Sequence, residues 1–190
     1  MNSNIKEYIK SSLKTKELIL SDEFLISKIS DIAKIIVKSY KSGNKVLLAG
    51  NGGSAADAQH LAAEFVSKFS VERMALNAIA LTTNTSILTA VGNDYNHDYI
   101  FSRQIEAYGN ANDIFIAIST SGNSKNIIKA IESAKQKKLL IIGLTGKQDC
   151  QMDKLCDYTI KVPSDKTPII QEAHIMIGHI ICEIVENELF

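Results

Sequence analysis

Residues with the types and spacing to do chemistry fall into three groups. The first is Gly50-Asn51-Gly52-Gly53-Ser54, which follows the apolar run Val46-Leu47-Leu48-Ala49 and precedes an alanine-rich stretch carrying His60 and Glu64. An apolar strand, a glycine-rich turn and a helix starting at that turn make a place for an anion such as phosphate, because backbone N–H groups at a helix N-terminus are free to donate. Successive helical residues are separated by about 100°, so His60 and Glu64 share a face. An imidazole and a carboxylate beside a phosphate cradle suit proton transfer, although an exposed i,i+4 pair would show the same spacing. Neither standard nucleotide fingerprint is matched. No Lys-Ser/Thr follows the glycines, and the third, spaced glycine of a dinucleotide site is missing. The expected ligand is therefore a small phosphorylated substrate rather than ATP or NAD.

The second group, Ser119-Thr120-Ser121-Gly122-Asn123-Ser124, again lies between an apolar strand and a helix. Its four hydroxyls exceed what a helix cap needs, which favours a second phosphate-binding loop. In an open parallel sheet both loops lie beyond the carboxyl ends of the strands, so they can converge on one ligand. The third group, Gln171, Glu172, His174, His179 and Glu183, sits among isoleucines near the C-terminus. Buried without partners, such groups would cost several kcal/mol each, so they call for a ligand, a metal or a subunit contact. Gln171 lies about 80° from His179 around the helix and Glu172 about 20°, so spacing does not choose between them. His174, about 140° away, reads as a packed or interface histidine.

The elements that must position these groups alternate. Helical periodicity over 5–20 and 22–41 predicts two N-terminal helices, with Ser21 as a cap and Gly43 as a stop. Strands are expected at 46–49, 78–81, 113–118, 139–144 and 158–162. Helices are expected at 84–91, 99–108, 125–137 and 169–189, with a turn at 92–94. This is an α/β pattern: a parallel five-stranded sheet, flavodoxin- or Rossmann-like, flanked by helices in one domain spanning 1–190, with the helical pair at 1–43 and the α/β core at 44–190.

Twenty-one basic residues balance 21 acidic ones, which removes any general electrostatic reason to expect nucleic acid or an anionic membrane. The N-terminus lacks the apolar core of a signal peptide, no apolar run looks long enough to span a bilayer, and Cys150, Cys156 and Cys182 match no zinc-finger spacing. A cytoplasmic protein with reduced thiols is expected.

Taken in order, Gly50-Asn51-Gly52-Gly53-Ser54, Asp57-Ala58-x-His60, Val91-Gly92-Asn93-Asp94, 118–124 and Gln171-Glu172-x-His174 closely resemble the phosphoheptose isomerases of the sugar isomerase (SIS) domain family. The resemblance runs from about Lys45 to the C-terminus, and the N-terminal helices also fit. It implies conversion of sedoheptulose 7-phosphate to D-glycero-D-manno-heptose 7-phosphate through an enediol, the first step towards ADP- or GDP-heptose for surface polysaccharide such as lipopolysaccharide or capsule. It also implies a cytoplasmic homotetramer with active sites between subunits. By position it assigns substrate contacts to Asn51, Gly52, Gly53, Ser54, Glu64, Asn93, Asp94 and Gln171, and phosphate contacts to Ser119, Thr120, Ser121 and Ser124. Glu64 would be the base and His179 its acid partner. One zinc ion per subunit would be held by His60, Glu64, Gln171 and His179, which chooses Gln171 where spacing left Glu172 open. The chain departs from the family pattern at Lys68 and Ile169, where arginine is usual. The rival reading is a non-catalytic regulator of the same fold that binds a protein partner such as a replication initiator. Regulators of that kind resemble the isomerases in the glycine loop but lack the glutamate that Glu64 supplies here.

Overall fold

The computed structural model describes residues 2–190, with side chains from Asn4 onward. Five strands form one parallel sheet: β1 (Val46–Gly50), β2 (Ala78–Ala80), β3 (Ile114–Ile118), β4 (Leu140–Thr145) and β5 (Tyr158–Lys161). Their spatial order is β2-β1-β3-β4-β5, so β1 is flanked on both sides and the strand order reverses there. β1, β3 and most of β4 are apolar and buried throughout, as a parallel sheet covered on both faces requires.

Alternation along the strands splits the core in two. Val46, Leu48, Ile114, Ile116 and Ile118 point to one face, where they pack with residues of α2 (Glu23–Lys41), α3 (Gly53–Val66) and α8 (Thr167–Leu189). Leu47, Ala49, Phe115 and Ala117 point to the other, packed with residues of α5 (Ser102–Tyr108), α6 (Lys125–Gln136) and α7 (Met152–Leu155). The remaining helices are α1 (Asn2–Ser21), which crosses α2 and α8, and α4 (Thr85–Asp94).

Several boundaries differ from the sequence reading. α1 runs through Ser21, and the cap of α2 is Asp22, whose carboxylate accepts the Leu25 N–H at 3.0 Å. Residues 92–94 are the last turn of α4 rather than a loop. The expected helix at 99–108 is a 3-10 turn at His97–Tyr99 followed by α5. α8 begins two residues early because Pro168 fits its first turn, where the missing N–H costs nothing. At 23 residues, α8 is also long and apolar enough to cross a membrane, contrary to the sequence reading. Its apolar surface is instead spent on α2 and α3, and Ile177, Ile181 and Val185 are core residues.

Candidate active site

The first turn is built by close approach. A Cβ on Gly50 would lie 2.3 Å from the Ser54 carbonyl oxygen, and Gly52 holds φ +56°. Only glycine relieves both constraints. β1 and β3 are paired through Gly50 and Ile118, so residues 50–54 and 119–124 leave the sheet side by side. Asn51 and Asn126 join them: Asn51 Nδ2 donates to Asn126 Oδ1 at 2.9 Å, and Asn126 Nδ2 donates back to Asn51 Oδ1 at 2.8 Å.

The helices that begin at these turns start without a side-chain cap, Gly52 preceding α3 and Ser124 preceding α6. The Ser124 hydroxyl faces the Ser119 hydroxyl at 3.1 Å, and Ser119 lies 3.4 Å from the Ser121 hydroxyl. Three hydroxyls therefore converge beside a helix N-terminus whose first amides no side chain satisfies, the arrangement an anion fits. Gly122 at φ +62° lets the loop turn back, and Thr120 fixes it by accepting the Gly146 N–H at 3.1 Å. Ser54 and Ser119 are buried, while Ser121 is exposed.

α3 and α8 bring the ionisable groups together. A Cβ on Gly178 would meet Leu61 Cδ2 at 2.6 Å, so a glycine in α8 lets the two helices touch. His60 Nε2 then lies 3.0 Å from Glu64 Oε1 and 3.0 Å from His179 Nε2. One ligand atom from each of His60, Glu64 and His179 falls within 4.8 Å of the others. The Gln171 amide packs against Gly53, where an added Cβ would lie 2.6 Å from Nε2. Glu172 points elsewhere, pairing with Lys16 and accepting the Ser12 hydroxyl at 2.8 Å. His174 is packed, with Nε2–H donating to the Thr145 carbonyl at 3.1 Å, and burial pushes its pKa down to about 4. Glu183 lines a groove beside His179.

Asn93 and Asp94 are the last two residues of α4. They are exposed at the end of α4 and bond to each other at 2.9 Å, and among the described residues neither bonds to the two loops. Lys68 pairs with Glu72 at 2.7 Å on the surface. Ile169 is 1% exposed, so the side chain standing in the family's arginine position is part of the core.

The sequence reading passed over other groups. Asp57, one turn before His60, has a buried Oδ2 without a partner among the described residues; burial pushes its pKa up to about 6, and His60 partly opposes the rise. Glu186 and Arg73 form a buried pair beneath the end of α3, and Arg73 Nη2 donates to the Glu64 carbonyl at 2.8 Å. His97 reaches the Asn51–Asn126 pair. Asp57 lay within a motif already noticed, but the other three come together only in the fold.

A family profile described as the SIS domain matches residues 7–146. The chain belongs to that family. Along its whole length it is 60% identical to phosphoheptose isomerase 2 of Campylobacter jejuni, covering 94% of that protein. Among solved structures, a phosphoheptose isomerase from Francisella tularensis superposes with a TM-score of 0.94 at 38% identity, covering 97% of each chain. One from Neisseria gonorrhoeae superposes with a TM-score of 0.92 at 37% identity, covering 98% of each. Within the SIS family, this places the chain among the phosphoheptose isomerases, which are enzymes. The non-catalytic regulator reading is not favoured.

Proposed function

We propose that the chain converts sedoheptulose 7-phosphate to D-glycero-D-manno-heptose 7-phosphate in the cytoplasm, supplying heptose for activation and transfer to a surface polysaccharide. The observation that carries this is the convergence of Glu64 and His179 from opposing helices, with Glu64 on α3, whose uncapped N-terminus stands next to that of α6. Loops of free amides and hydroxyls alone would bind a phosphate; the carboxylate and imidazole add proton transfer.

The reaction needs one proton moved between adjacent carbons and one between their oxygens. Glu64 takes the C1 proton as His179 donates to the C2 oxygen, which gives the enediol. Glu64 then returns the proton to C2 while the C1 hydroxyl loses its own to His179, leaving the C1 aldehyde and both groups as they began. Ser119, Thr120, Ser121 and Ser124 hold the phosphate, and Asn51, Gly52, Gly53, Ser54 and Gln171 line the path to the reacting carbons. Asn93 and Asp94 contact the substrate from the exposed end of α4.

The donor set fits a zinc ion. Two imidazole nitrogens face each other at 3.0 Å with a carboxylate oxygen 3.0 Å from one of them. Ligand atoms on a tetrahedral zinc with bonds of 2.0–2.1 Å stand about 3.3 Å apart. His60, Glu64, Gln171 and His179 would hold it, and when bound it supplies Lewis-acid polarisation of the substrate carbonyl.

Assembly belongs to the same reading. Ile5, Ile9 and Leu13 form an exposed stripe on α1, and Leu20 and Phe24 are 74% and 73% exposed near the α1–α2 junction. A groove of about 410 Å³ between Lys16 and α8 leads to His179. Four copies of the chain would cover the stripe, and a neighbour would complete each pocket. Incubating the purified protein with sedoheptulose 7-phosphate and following the aldose proton by NMR tests the proposal; no aldose signal would refute it.

A further inference from the structure

The crevice between the ends of β1 and β3 holds more than a phosphate needs. A cavity of about 590 Å³ opens there, lined by Asn51 and Gly52 of one loop, Ser124 of the other, Lys125 and Asn126 at the start of α6, and His97 and Asp98 of the 3-10 turn. This is the point where the strand order reverses, the usual ligand crevice of an open parallel sheet. Asn126 is 3% exposed and organises it. One Nδ2 hydrogen goes to Asn51 Oδ1; the other points to His97 Nδ1, 3.4 Å away. An amide N–H has no lone pair to offer, so His97 Nδ1 must accept, and in the neutral ring the remaining proton sits on Nε2.

We infer that His97 and Asp98 read hydroxyl groups along the sugar chain between its phosphate and its reacting end. The inference rests on the sugar phosphate reading above and assigns it a specificity element. Lys125 suits an anion, but a pocket for phosphate alone has no use for the Asp98 carboxylate, which would repel it. A hydroxyl both donates and accepts, and here a ring N–H donor and a carboxylate acceptor stand on one short turn beside the phosphate loop. Holding His97 through Asn126 means that the residue already bracing Asn51 also aims the hydroxyl donor. One buried amide thus aligns both loops and the turn.

The test is calorimetric binding of sedoheptulose 7-phosphate and of orthophosphate to the full chain and to His97→Ala. His97 is exposed, so its loss leaves the core untouched. In the variant, sugar phosphate affinity should fall about tenfold, the scale of one ordinary hydrogen bond, while orthophosphate affinity stays the same. His97→Gln, which keeps a side-chain N–H, should recover most of the loss. Unchanged sugar phosphate affinity in His97→Ala would overturn the inference. So would an equal loss for orthophosphate, which would make His97 a phosphate ligand. Because the readout is the difference in affinity between the two proteins and not a rate, a tenfold difference between them with no conversion by the wild type would refute the isomerase reading and leave the hydroxyl-reading role standing.

Discussion

Replacing Glu186 by glutamine should destabilise the chain by about 3 kcal/mol at neutral pH. The Glu186 side chain is 1% exposed and accepts the N–H groups of Phe69, Ser70 and Val71 at 2.7–2.9 Å, and the Arg73 Nε–H at 2.8 Å. Burial on its own would raise the carboxyl's pKa. The three amides and the guanidinium outweigh it and hold the group at about 2, against an ordinary 4.5. At about 1.4 kcal/mol per pH unit, that gap amounts to about 3 kcal/mol, in line with the 3–5 kcal/mol typical of removing one partner from a buried pair. The folded-state pKa is depressed, so this stabilisation is fully present above about pH 4.5 and is lost as pH falls towards 2. Urea unfolding at one fixed protein concentration, followed from pH 7 to pH 2, measures both effects. With a slope near 3 kcal/mol per molar, the variant's midpoint at pH 7 should fall by about 1 M. The gap between the two proteins should then close on acidification. Equal midpoints at pH 7, or parallel acid limbs, would refute the reasoning. Since Arg73 also holds the carbonyls of Glu64 and Phe65 at 2.8 Å, the loosened loop should slow turnover as well.

Other perturbations act on the site directly. Glu64→Gln should keep the fold and ligand binding while lowering turnover at least about a hundredfold, and near-normal turnover would reject Glu64 as the base. His179→Ala should be severely impaired, and full activity would mean that α8 contributes nothing to proton transfer. Elemental analysis should find up to one zinc per chain, and strong chelation should slow the reaction without unfolding the protein. Gly53→Ala, whose methyl would stand 2.6 Å from the Gln171 amide, should displace Gln171 and weaken substrate binding, visible as a raised KM. Light scattering at low protein concentration should give the mass of four chains, and a stable, fully active monomer would sink both the tetramer and the shared pocket.

What the sequence disclosed follows from where its information is local. Buried parallel strands announce themselves as apolar runs, so β1, β3 and β4 were legible almost to the residue. The glycine turn was equally plain, because the φ of Gly52 and the contact of Gly50 with Ser54 are constraints within five residues of chain. Helix ends were less clear, since Ser21 and Asp22 are both good caps and only packing decides between them. The turn expected at 92–94 failed for a related reason: Gly92 is tolerated inside α4, where the space around it is open. Spacing on α8 could not separate Gln171 from Glu172, because both lie within about 80° of His179 around the helix and the deciding contacts, Gly53 for one and Lys16 for the other, lie more than 100 residues away.

The Arg73–Glu186 pair shows the limit most clearly, and it bears on how the site works. Nothing near Arg73 marks it as different from other surface-type residues, and Glu186 reads as the polar edge of an apolar helix. In the fold, that carboxylate gathers three successive amides of the loop after α3, and the guanidinium closes over the last carbonyls of the helix that carries Glu64. α8 therefore meets α3 twice. It presents His179 to His60 at one level, and it ties down the end of α3 one and two turns further along. A proton shuttle between two helices needs their separation fixed to a fraction of an ångström, because misplacement by 1 Å can cost a hundredfold in rate. A desolvated ion pair is a poor source of net stability, since dehydration offsets much of its attraction, but it is intolerant of misalignment. That intolerance is what the site requires: the helices can slide only by leaving two charges buried and unpaired.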